Sequence, residues 1–381
     1  MERFDVIVIG AGPAGSTAAY RLAAGGARVA LLDKARFPRD KPCGGGVTVR
    51  GLQHLPVDIT PVVEDRVTEV ELGFGYRQRF TRRSDEPLVL MTQRRRLDTH
   101  LAEQAAAKGA DFRDGVRVRT IELESRGAVV ATDTDRLAAR VVIGADGCNG
   151  ISGKALGLAS GVTYGVAYEG NAPWGVLDEA RWRSRIWLEF DSVPGGYAWI
   201  FPKGDHANLG VGGWTSEGPR LRDHLTRLCR EAGVDPGAIE NVRGYRLPLR
   251  RPAARVAQGP ALLIGDAAGL VDPMSGDGMY EAFLSSRLAA DAAMDVLAGR
   301  TANLDGFQST LDGALSRHRA ISWAGKLLFE QAPGLASRLA RSERLWPKVV
   351  RRIRGESGGS HGAGGARLEA LARAIYRPGR R

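Results

Sequence analysis

The stretch Phe4-Asp-Val-Ile-Val-Ile-Gly-Ala-Gly-Pro-Ala-Gly15 decides the fold of this 381-residue chain. It opens with an apolar, β-branched run, which is typical of a buried parallel strand. The glycines that follow have G-x-G-x-x-G spacing: Gly10 permits a tight turn, Gly12 lets the backbone approach a pyrophosphate, and Gly15 allows close helix–strand packing. The stretch therefore predicts a Rossmann-type turn, with a helix over residues 13–25 that directs its first amides at phosphates.

A second strand, residues 28–33, follows the helix and ends in an acid. Asp33 stands about 20 residues past the glycines, where an acid is needed to bond ribose hydroxyls. Far downstream, residues 261–268 form another apolar strand that ends in Gly265 and Asp266. The first motif alone is compatible with NAD or FAD. The two motifs together indicate that a long dinucleotide is held at both ends, which favours FAD as the cofactor.

Composition limits the class of protein. Hydrophobic residues make up 43% of the chain, but no apolar run approaches the roughly 20 residues that span a bilayer. The first strand begins almost at the N-terminus, so we expect no secretory signal. Cys43, Cys148 and Cys229 form no C-x-x-C pair, and the six histidines lack metal-ligand spacing. We therefore expect reduced thiols, no metal and a cytoplasmic location, with the protein soluble or peripheral at the membrane.

The formal net charge of +11 is concentrated at the C-terminus. Residues 338–381 hold twelve Lys and Arg side chains against three acids. Basic residues interleaved with apolar ones suit an anionic membrane surface, which predicts a peripheral contact through the basic C-terminus. The alternative is a solvated, arginine-rich tail. No nucleic-acid motif accompanies the charge, so no nucleic-acid partner is expected.

The periodicity of the chain predicts an α/β fold with three parts: a Rossmann-type FAD-binding domain, an inserted antiparallel-sheet substrate domain and a helical C-terminus. The inserted segments alternate apolar and polar residues over short runs, which is typical of an antiparallel sheet with one buried face. The predicted segments are 1–55, 92–159 and 255–299 for the FAD-binding domain, 56–91 and 160–254 for the substrate domain, 300–354 for the C-terminal helices and 355–381 for the basic tail.

Four further motifs stand at fixed spacings along the chain. They are Lys41-Pro-Cys-Gly-Gly-Gly46, Val142-Ile-Gly-Ala-Asp-Gly147, Pro194-Gly-Gly-Tyr-Ala-Trp-Ile-Phe-Pro202 with Gly210-Val-Gly212 seven residues later, and Val271-Asp-Pro-Met-Ser-Gly-Asp-Gly-Met279. Over about residues 1–330 the chain resembles the geranylgeranyl reductase family within the FAD-dependent hydroxylase-like (p-hydroxybenzoate hydroxylase) superfamily. Asp277 stands where these reductases often have Glu.

The resemblance implies an FAD-dependent reductase that saturates C=C bonds of an isoprenoid chain with hydride from reduced flavin. The external electron donor, NAD(P)H or a ferredoxin-like protein, stays open, as does the substrate head group. The implied catalytic residues are Cys43, Tyr197 and Trp199. The implied substrate contacts are Gly45, Phe201 and Trp214. The implied cofactor contacts are Gly10, Gly12, Pro13, Ala14, Gly15, Asp33, Lys34, Cys43, Gly44, Arg94, Asp146, Gly265, Asp266, Pro273, Gly276, Gly278 and Met279.

Physical reasons accompany these assignments. The glycines at 276 and 278 precede a helix that begins near Met279, and their amides would face the pyrimidine edge of the flavin, which becomes anionic on reduction. Tyr197, Trp199 and Phe201 alternate on a strand and share one face, which suits the wall of a long apolar cavity. Plain core packing is the alternative for each aromatic residue. Cys43, among glycines, is either a proton donor or a small packing residue.

Two rival functions remain open. A flavin-dependent monooxygenase or halogenase shares the superfamily fold, but Tyr197 differs from the tryptophan that opens the halogenase W-x-W-x-I-P motif. The superfamily usually follows its Asp-Gly with Ser and Arg, whereas this chain has Gly150 and Gly153, which argues against a hydroxylase-style NAD(P)H contact. A non-catalytic lipid carrier is the second rival, and it would need no redox cycling of the flavin.

Overall fold

The computed structural model describes residues 1–158, 160–251 and 254–356. Its strands are β1 (Glu2–Ile9), β2 (Val29–Leu32), β3 (Gly46–Thr48), β4 (Val63–Val67), β5 (Glu69–Phe74), β6 (Gln78–Arg83), β7 (Val89–Thr92), β8 (Asp111–Arg113), β9 (Val118–Glu124), β10 (Gly127–Thr132), β11 (Arg136–Gly144), β12 (Val162–Pro173), β13 (Arg185–Phe190), β14 (Tyr197–Pro202), β15 (His206–Trp214), β16 (Glu240–Arg250), β17 (Ala257–Gln258) and β18 (Ala261–Leu263). Its helices are α1 (Pro13–Ala24), α2 (Val49–Leu52), α3 (Arg94–Ala107), α4 (Ser152–Ala155), α5 (Glu179–Trp182), α6 (Leu221–Ala232), α7 (Met279–Leu297), α8 (Phe307–Gln331), α9 (Pro333–Ala340) and α10 (Trp346–Arg354).

The first sheet carries the opening motif at its centre. Its strand order is β17-β18-β11-β1-β2-β8, and β9 and β10 extend it as a hairpin beside β11. β1 pairs in parallel with β2 and β11, and β11 pairs in parallel with β18. β2 and β18 are buried throughout, as continuous apolar runs predict for strands covered on both faces. α1 contacts α3 and α7. The predicted α/β fold is confirmed.

A second, seven-stranded sheet forms most of the inserted region. Its order is β16-β12-β15-β14-β13-β5-β6. Every neighbouring pair is antiparallel except β5 and β13, which pair in parallel. The expectation of a wholly antiparallel sheet is wrong at this pair. β5 and β13 come from the two separate inserted segments, so no hairpin turn forces them to run in opposite directions. α6 packs on this sheet.

A third sheet, β3-β7-β4, lies outside the predicted organisation. It joins the strand that follows the cysteine motif to two strands of the first inserted segment, and so crosses the predicted boundary at residue 55. β3 has three residues, which is too short for a periodic signal. The domain limits themselves stay a prediction.

The C-terminal segment forms three helices against both larger sheets. α8 contacts α7 and α9. Trp346, Val350 and Ile353 of α10 recur at helical spacing and pack against a core that contains Val70 and Ile186. Within residues 1–158, 160–251 and 254–356, no helix has the length and apolarity that crossing a membrane requires. The basic C-terminus at 338–381, for which a membrane contact is predicted, is described as far as residue 356, and its remainder lies outside the described residues.

Candidate active site

One cavity of about 1220 Å³ extends between the parallel sheet, the seven-stranded sheet and the C-terminal helices. Its wall contains the predicted site residues, apart from Gly15 and Gly265. A Cβ atom at Gly15 would lie 1.8 Å from the Gly10 carbonyl oxygen, and one at Gly265 would lie 2.9 Å from Cβ of Ala14. These two glycines therefore serve close packing beside the cavity.

The N-terminus of α1 faces the cavity where the glycine motif of residues 10–15 predicts a dinucleotide. Gly10 has φ +103°, and a Cβ there would lie 2.4 Å from the carbonyl oxygen of Ala145. Gly12 is the N-cap of α1 and makes no side-chain cap. A Cβ at Gly12 would meet only Nη2 of Arg39, at 3.5 Å, and Nη2 of Arg94, at 3.8 Å. Helix amides and two guanidinium groups around an open space fit a pyrophosphate.

Both arginines are fixed by carboxylates. Arg94 donates to Asp98 through Nε at 2.7 Å and Nη2 at 2.8 Å, and Nη1 of Arg39 lies 2.9 Å from the same carboxylate. Burial alone would lower the pKa of Arg94, but the ion pair with Asp98 outweighs it and raises that pKa. Asp33 accepts from the Ala11 amide at 2.8 Å. The sequence analysis missed Arg39 and Asp98, although the i, i+4 spacing of Arg94 and Asp98 is a readable signal.

The second motif places Asp266 on the cavity wall. Nζ of Lys41 lies 3.0 Å from Asp266 Oδ2, and the Tyr245 hydroxyl donates to the same oxygen at 3.3 Å. Burial raises the pKa of Asp266, but Lys41 outweighs it and holds that pKa below its usual value. Asp266 is thus a fixed, ionised acceptor. Lys41 and Tyr245 lie on the cavity wall but were not predicted.

Asp146 lies on the same wall. Its Oδ2 accepts from the amides of Ile151 and Ser152 at 2.7 and 3.0 Å, which fixes the turn into α4. Its Oδ1 is buried and has no hydrogen-bond partner within the described residues. A buried acceptor without a donor beside the cavity is a further feature that fits a bound group with hydroxyls.

The loop before α7 differs in detail from the expectation. The Gly276 amide donates to the Asp272 carbonyl at 2.9 Å, and the Met279 amide donates to Asp277 Oδ1 at 2.7 Å. The idea that both glycines present free amides is therefore wrong for Gly276, because the loop bends back on itself. Gly278 supplies the amide that has no partner among the described residues. Burial, with the charge of Glu281, raises the pKa of Asp277 to about 7.

The cysteine loop is held by two buried charged side chains. The Cys43 amide donates to Glu169 Oε1 at 2.7 Å, and Nζ of Lys203 donates to the Gly44 carbonyl at 2.5 Å. A Cβ at Gly45, which has φ +75°, would lie 1.9 Å from that Nζ. Burial raises the pKa of Glu169 and lowers that of Lys203. Only glycine at position 45 leaves room for Lys203 to fix the loop.

Tyr197, Trp199 and Phe201 form an aromatic ladder on β14. Successive ring centroids lie 5.8 and 6.0 Å apart. A Cβ at Gly44 would lie 2.7 Å from the Phe201 ring, so the ladder directly adjoins the cysteine loop. Trp199 Nε1 donates to Asn208 at 2.8 Å. The Tyr197 hydroxyl donates to the Ser275 carbonyl, and burial raises the pKa of that hydroxyl.

Beyond the ladder the cavity becomes apolar and reaches the C-terminal helices. Trp214 lies on its wall, with Nζ of Lys326 4.3 Å from the Trp214 ring centroid. The sequence analysis predicted the helices but not their place in the site. The apolar wall here includes Val70, Leu72, Ile186, Leu188, Phe190, Leu328, Phe329, Ala336, Leu339, Trp346, Val349 and Ile353.

A hydrogen-bonded cluster centres on His318 of α8. Its Nε2 lies 3.1 Å from Asp272 and 3.2 Å from Glu281, and the ligand-type atoms of these three residues lie within 4.8 Å of one another. Its Nδ1 lies 3.0 Å from Arg50 and 2.9 Å from Arg352. Guanidinium groups only donate, so Nδ1 accepts, and Nη2 of Arg50 also lies 3.4 Å from Nε2. The cluster therefore links α8 to α2, α7 and α10 through polar contacts. Its residues are far apart in the sequence, so motif spacing could not predict it.

Comparison with known proteins shows extended similarity to flavoproteins. The family described as FAD binding domain matches residues 3–301. The geranylgeranyl diphosphate reductase of Rhodobacter capsulatus is 34% identical over 318 residues, covering 79% of this chain and 78% of the relative. Digeranylgeranylglycerophospholipid reductase 2 of Methanopyrus kandleri is 30% identical over 77% of this chain and 78% of its own length. The menaquinone reductase of Mycobacterium tuberculosis is 33% identical over 75% of this chain and 76% of its own length.

Solved structures share the fold across almost the whole chain. A geranylgeranyl bacteriochlorophyll reductase-like protein of Thermoplasma acidophilum aligns with a TM-score of 0.74 and 21% identity, covering 98% of this chain and 96% of that protein. A flavin-dependent brominase aligns with a TM-score of 0.77 and 17% identity, covering 98% of each chain. At these identities the structures show the fold alone.

Proposed function

The chain belongs to the FAD-binding flavoproteins of the geranylgeranyl reductase family, and we propose that it saturates carbon–carbon double bonds in an isoprenoid chain. It is an FAD-dependent oxidoreductase that acts on CH–CH groups. One observation carries the proposal: the cysteine loop and the aromatic ladder adjoin each other on the wall of a cavity that continues as an apolar channel. A long hydrocarbon chain fits such a channel, because apolar surface is transferred out of water along its length.

The described residues fit FAD as the cofactor. The uncapped N-terminus of α1, with Arg39 and Arg94 in front of Gly12, suits the pyrophosphate. Asp33 and Asp266 suit hydroxyl groups of the cofactor. The cavity exceeds the roughly 300–1,000 Å³ of ordinary small-molecule pockets, which suits a dinucleotide and a substrate together. Bound and reduced FAD supplies the hydride.

The protein must supply a proton. An isolated trisubstituted alkene is a poor hydride acceptor, so a proton has to reach one alkene carbon with or before the hydride at the other. Cys43 is the proposed donor, or it holds a water that donates. Glu169 and Lys203 fix its loop through the Cys43 amide and the Gly44 carbonyl, which limits where the thiol can lie.

Tyr197 and Trp199 take a different role from the implied catalytic one. The Tyr197 hydroxyl and the Trp199 indole N–H are engaged with Ser275 and Asn208. Neither group is therefore placed to give a proton to an alkene without first breaking its hydrogen bond. We assign both side chains to the wall that holds the isoprenoid chain, together with Phe201.

The relatives narrow the proposed substrate class to polyprenyl compounds. Their names specify geranylgeranyl diphosphate, a digeranylgeranylglycerophospholipid and menaquinone as substrates. These compounds differ in head group and share an isoprenoid chain, which matches an apolar channel lined by the ladder. A lipid of this kind resides in membranes, so we also propose that the protein works peripherally at the cytoplasmic membrane surface.

The test is a substrate panel under anaerobic conditions. Holoprotein reduced with dithionite is incubated separately with geranylgeranyl diphosphate and menaquinone, and the products are analysed by mass spectrometry. The proposal predicts gains of two hydrogens per reduced double bond. NADPH and reduced ferredoxin then replace dithionite to identify the electron donor. Unchanged substrate anaerobically, with an oxygen atom or a halogen incorporated once air and halide are supplied, would instead assign the chain to the monooxygenases or halogenases.

A further inference from the structure

We infer that the outer face of α9 and α10 docks on an anionic lipid bilayer and that the isoprenoid chain reaches the cavity through the mouth beside this face. The docking face consists of Leu335, Arg338 and Leu339 on α9, Arg344 in the turn between the helices, and Lys348, Val349 and Arg351 on α10. Apart from Leu335 it belongs to the described part of the basic C-terminus at 338–381, and it ends before the tail at 355–381. The inference rests on the proposed function, because it supplies the route by which a membrane lipid reaches the site.

Exposed apolar side chains concentrate at this place. Among the described residues, seven large hydrophobic side chains are exposed, and four of them lie on α8–α10. They are Ile321, Leu335, Leu339 and Val349, with exposed fractions of 43%, 50%, 39% and 43%. Ile321, Leu339 and Val349 also belong to the cavity wall. Apolar surface is therefore continuous from the outside of the helices into the channel, which defines a mouth.

Helical spacing separates the outward residues from the packed ones. On α9, Leu335, Arg338 and Leu339 recur at i, i+3 and i+4 and are exposed, whereas Ala336 is buried. The exposed side of α9 thus combines two leucines with an arginine. This combination is typical of a helix that lies in a membrane interface.

On α10 one side packs against the protein and another faces outward. Trp346, Val350 and Ile353 pack on the β-sheet core. Lys348 and Arg351, three residues apart, are exposed. α10 has no buried residue along its length. The helix therefore covers the channel with one side while it presents cations with the other.

The charge of the docking face indicates which kind of partner it binds. No carboxylate within the described chain pairs with Arg338, Arg344, Lys348 or Arg351. Glu343 is the single acid in the sequence from 333 to 354. Unpaired cations attract an anionic surface, and exposed leucine and valine beside them favour a surface with an apolar interior. A bilayer with anionic head groups supplies both, whereas nucleic acid supplies only the charge.

The helices are tied to the edge of the seven-stranded sheet, so docking has a fixed orientation. Trp346 Nε1 donates to the Arg83 carbonyl at 2.6 Å, and Arg82 Nε donates to the Ala340 carbonyl at 3.2 Å. Arg354 donates to the Pro87 carbonyl at 3.0 Å. Because these bonds join α9 and α10 to the sheet that forms the cavity wall, binding of the face brings the mouth to the lipid surface.

Vesicle cosedimentation of full-length, FAD-loaded protein tests the face. The vesicles are equimolar phosphatidylglycerol and phosphatidylcholine, and pure phosphatidylcholine serves as the uncharged reference. The variant is Arg338→Glu, Arg344→Glu and Lys348→Glu combined. The matched control is Arg95→Glu, Arg222→Glu and Arg230→Glu combined, which makes the same charge change at exposed arginines of α3 and α6.

The face variant is expected to lower partition onto the anionic vesicles by at least roughly a hundredfold, since each of the three lost interfacial cations contributes about fivefold. The control is expected to stay close to wild type, and added salt is expected to weaken wild-type binding. Equal partition of the face variant and wild type would overturn the inference and assign any binding to the tail. Failure of wild type to bind anionic vesicles at low salt would overturn it as well.

Two substitutions of exposed apolar residues and an activity measurement complete the test. Leu335→Ser, which is off the cavity wall, should weaken vesicle binding, whereas Val176→Ser, an exposed valine elsewhere, should not. The face variant should lose turnover of a polyprenyl lipid embedded in vesicles and keep turnover of the same lipid in detergent. Equal losses in both media would contradict the docking role. Vesicle binding without turnover in either medium for wild type would refute the proposed function while leaving the docking face standing.

Discussion

Gly12 and Gly15 lie one turn apart at the start of α1 but face different surroundings. A Cβ at Gly12 points into the open space in front of two arginines, whereas a Cβ at Gly15 would lie 1.8 Å from the Gly10 carbonyl oxygen. Gly12→Val should lower FAD affinity at least about tenfold with little change in the melting temperature of the apoprotein. Gly15→Ala should destabilise the apoprotein by about 1–3 kcal/mol.

Flavin fluorescence titration and thermal unfolding of the two apoproteins check this prediction. The two glycines act as controls for each other, because one substitution fills the ligand space and the other fills a packed contact. FAD affinity that survives Gly12→Val unchanged would mean that the cofactor does not approach the N-terminus of α1.

The proposed proton donor, Cys43, can be tested by substitution. Cys43→Ser keeps a weak donor and nearly the same size, whereas Cys43→Ala removes the donor, so the rate of alkene-dependent oxidation of the reduced flavin should fall in the order wild type, Ser, Ala. A general acid is worth about 10²–10⁴-fold, which sets the expected loss for Cys43→Ala. Anaerobic stopped-flow spectroscopy measures the rate.

Cys148→Ala is the matched control, because Cys148 is a free, half-buried cysteine off the cavity wall. Its rate should equal that of wild type. A loss below tenfold for Cys43→Ala, with flavin content and melting temperature unchanged, would make Cys43 a packing residue and place the proton source elsewhere.

At the residue scale, the sequence predicts side chains that belong to local motifs. Cys43 and Asp266 stand at fixed spacings from glycines and could be named directly. Glu169 and Lys203 could not, because they reach the cysteine loop from 126 and 159 residues away. Their positions follow from the pairing of distant strands, on which residue spacing along the chain carries no information.

The N-terminus of α7 should make stability depend on pH through Asp277. Its folded pKa of about 7 lies above the ordinary aspartate pKa of about 4, because burial disfavours the ionised form. Between those pH values the folded chain keeps a proton that the unfolded chain has released, so stability should fall as pH rises from about 4 to about 7 and then level off. Asp277→Asn should remove this fall and keep an acceptor for the Met279 amide.

Urea unfolding of wild-type and Asp277→Asn apoproteins at several pH values tests the prediction. The stability of the variant relative to wild type should increase across this window. A difference that stays constant from pH 4 to pH 8 would show that Asp277 ionises in the folded protein as it does in the unfolded chain.

His318 should matter for stability because it joins four elements. It links Asp272, in the loop before α7, and Glu281, in the first turn of α7, to Arg50 of α2 and Arg352 of α10. His318→Phe removes the ring nitrogens that bond Arg50 and Arg352 and that lie beside two buried carboxylates, which should cost about 1–3 kcal/mol. Thermal unfolding measures the loss. His100→Phe, which loses an exposed bond to the Asp58 carbonyl, is the control, and an equal shift in both variants would contradict the linking role.

At the scale of elements, long periodic segments were predictable and pairings were not. The predicted helix at 13–25 corresponds to Pro13–Ala24, and the one that opens at Arg94 corresponds to Arg94–Ala107. The parallel pair β5–β13 and the sheet β3-β7-β4 join segments that are distant in sequence. Local patterns fix which face of a strand is apolar, but the neighbour of that strand depends on the whole fold.

At the scale of the whole molecule, the candidate active site lies where the two large sheets and the C-terminal helices meet. The parallel sheet contributes the dinucleotide end, the seven-stranded sheet contributes the aromatic ladder, and α8–α10 complete the apolar end of the cavity. The sequence predicted the first two contributions from motifs. The third was not predictable, because an amphipathic helix shows that one side is apolar and does not show what that side covers.

Anaerobic single-turnover spectroscopy tests the central claim most directly. Holoprotein is reduced by light in the absence of oxygen, so that the absorbance of oxidised flavin disappears, and geranylgeranyl diphosphate or menaquinone is then added. If the protein is an isoprenoid reductase, the oxidised-flavin absorbance returns without oxygen, in proportion to the double bonds lost from the substrate. Flavin that stays reduced with every polyprenyl substrate and reoxidises only when oxygen is admitted would contradict the account.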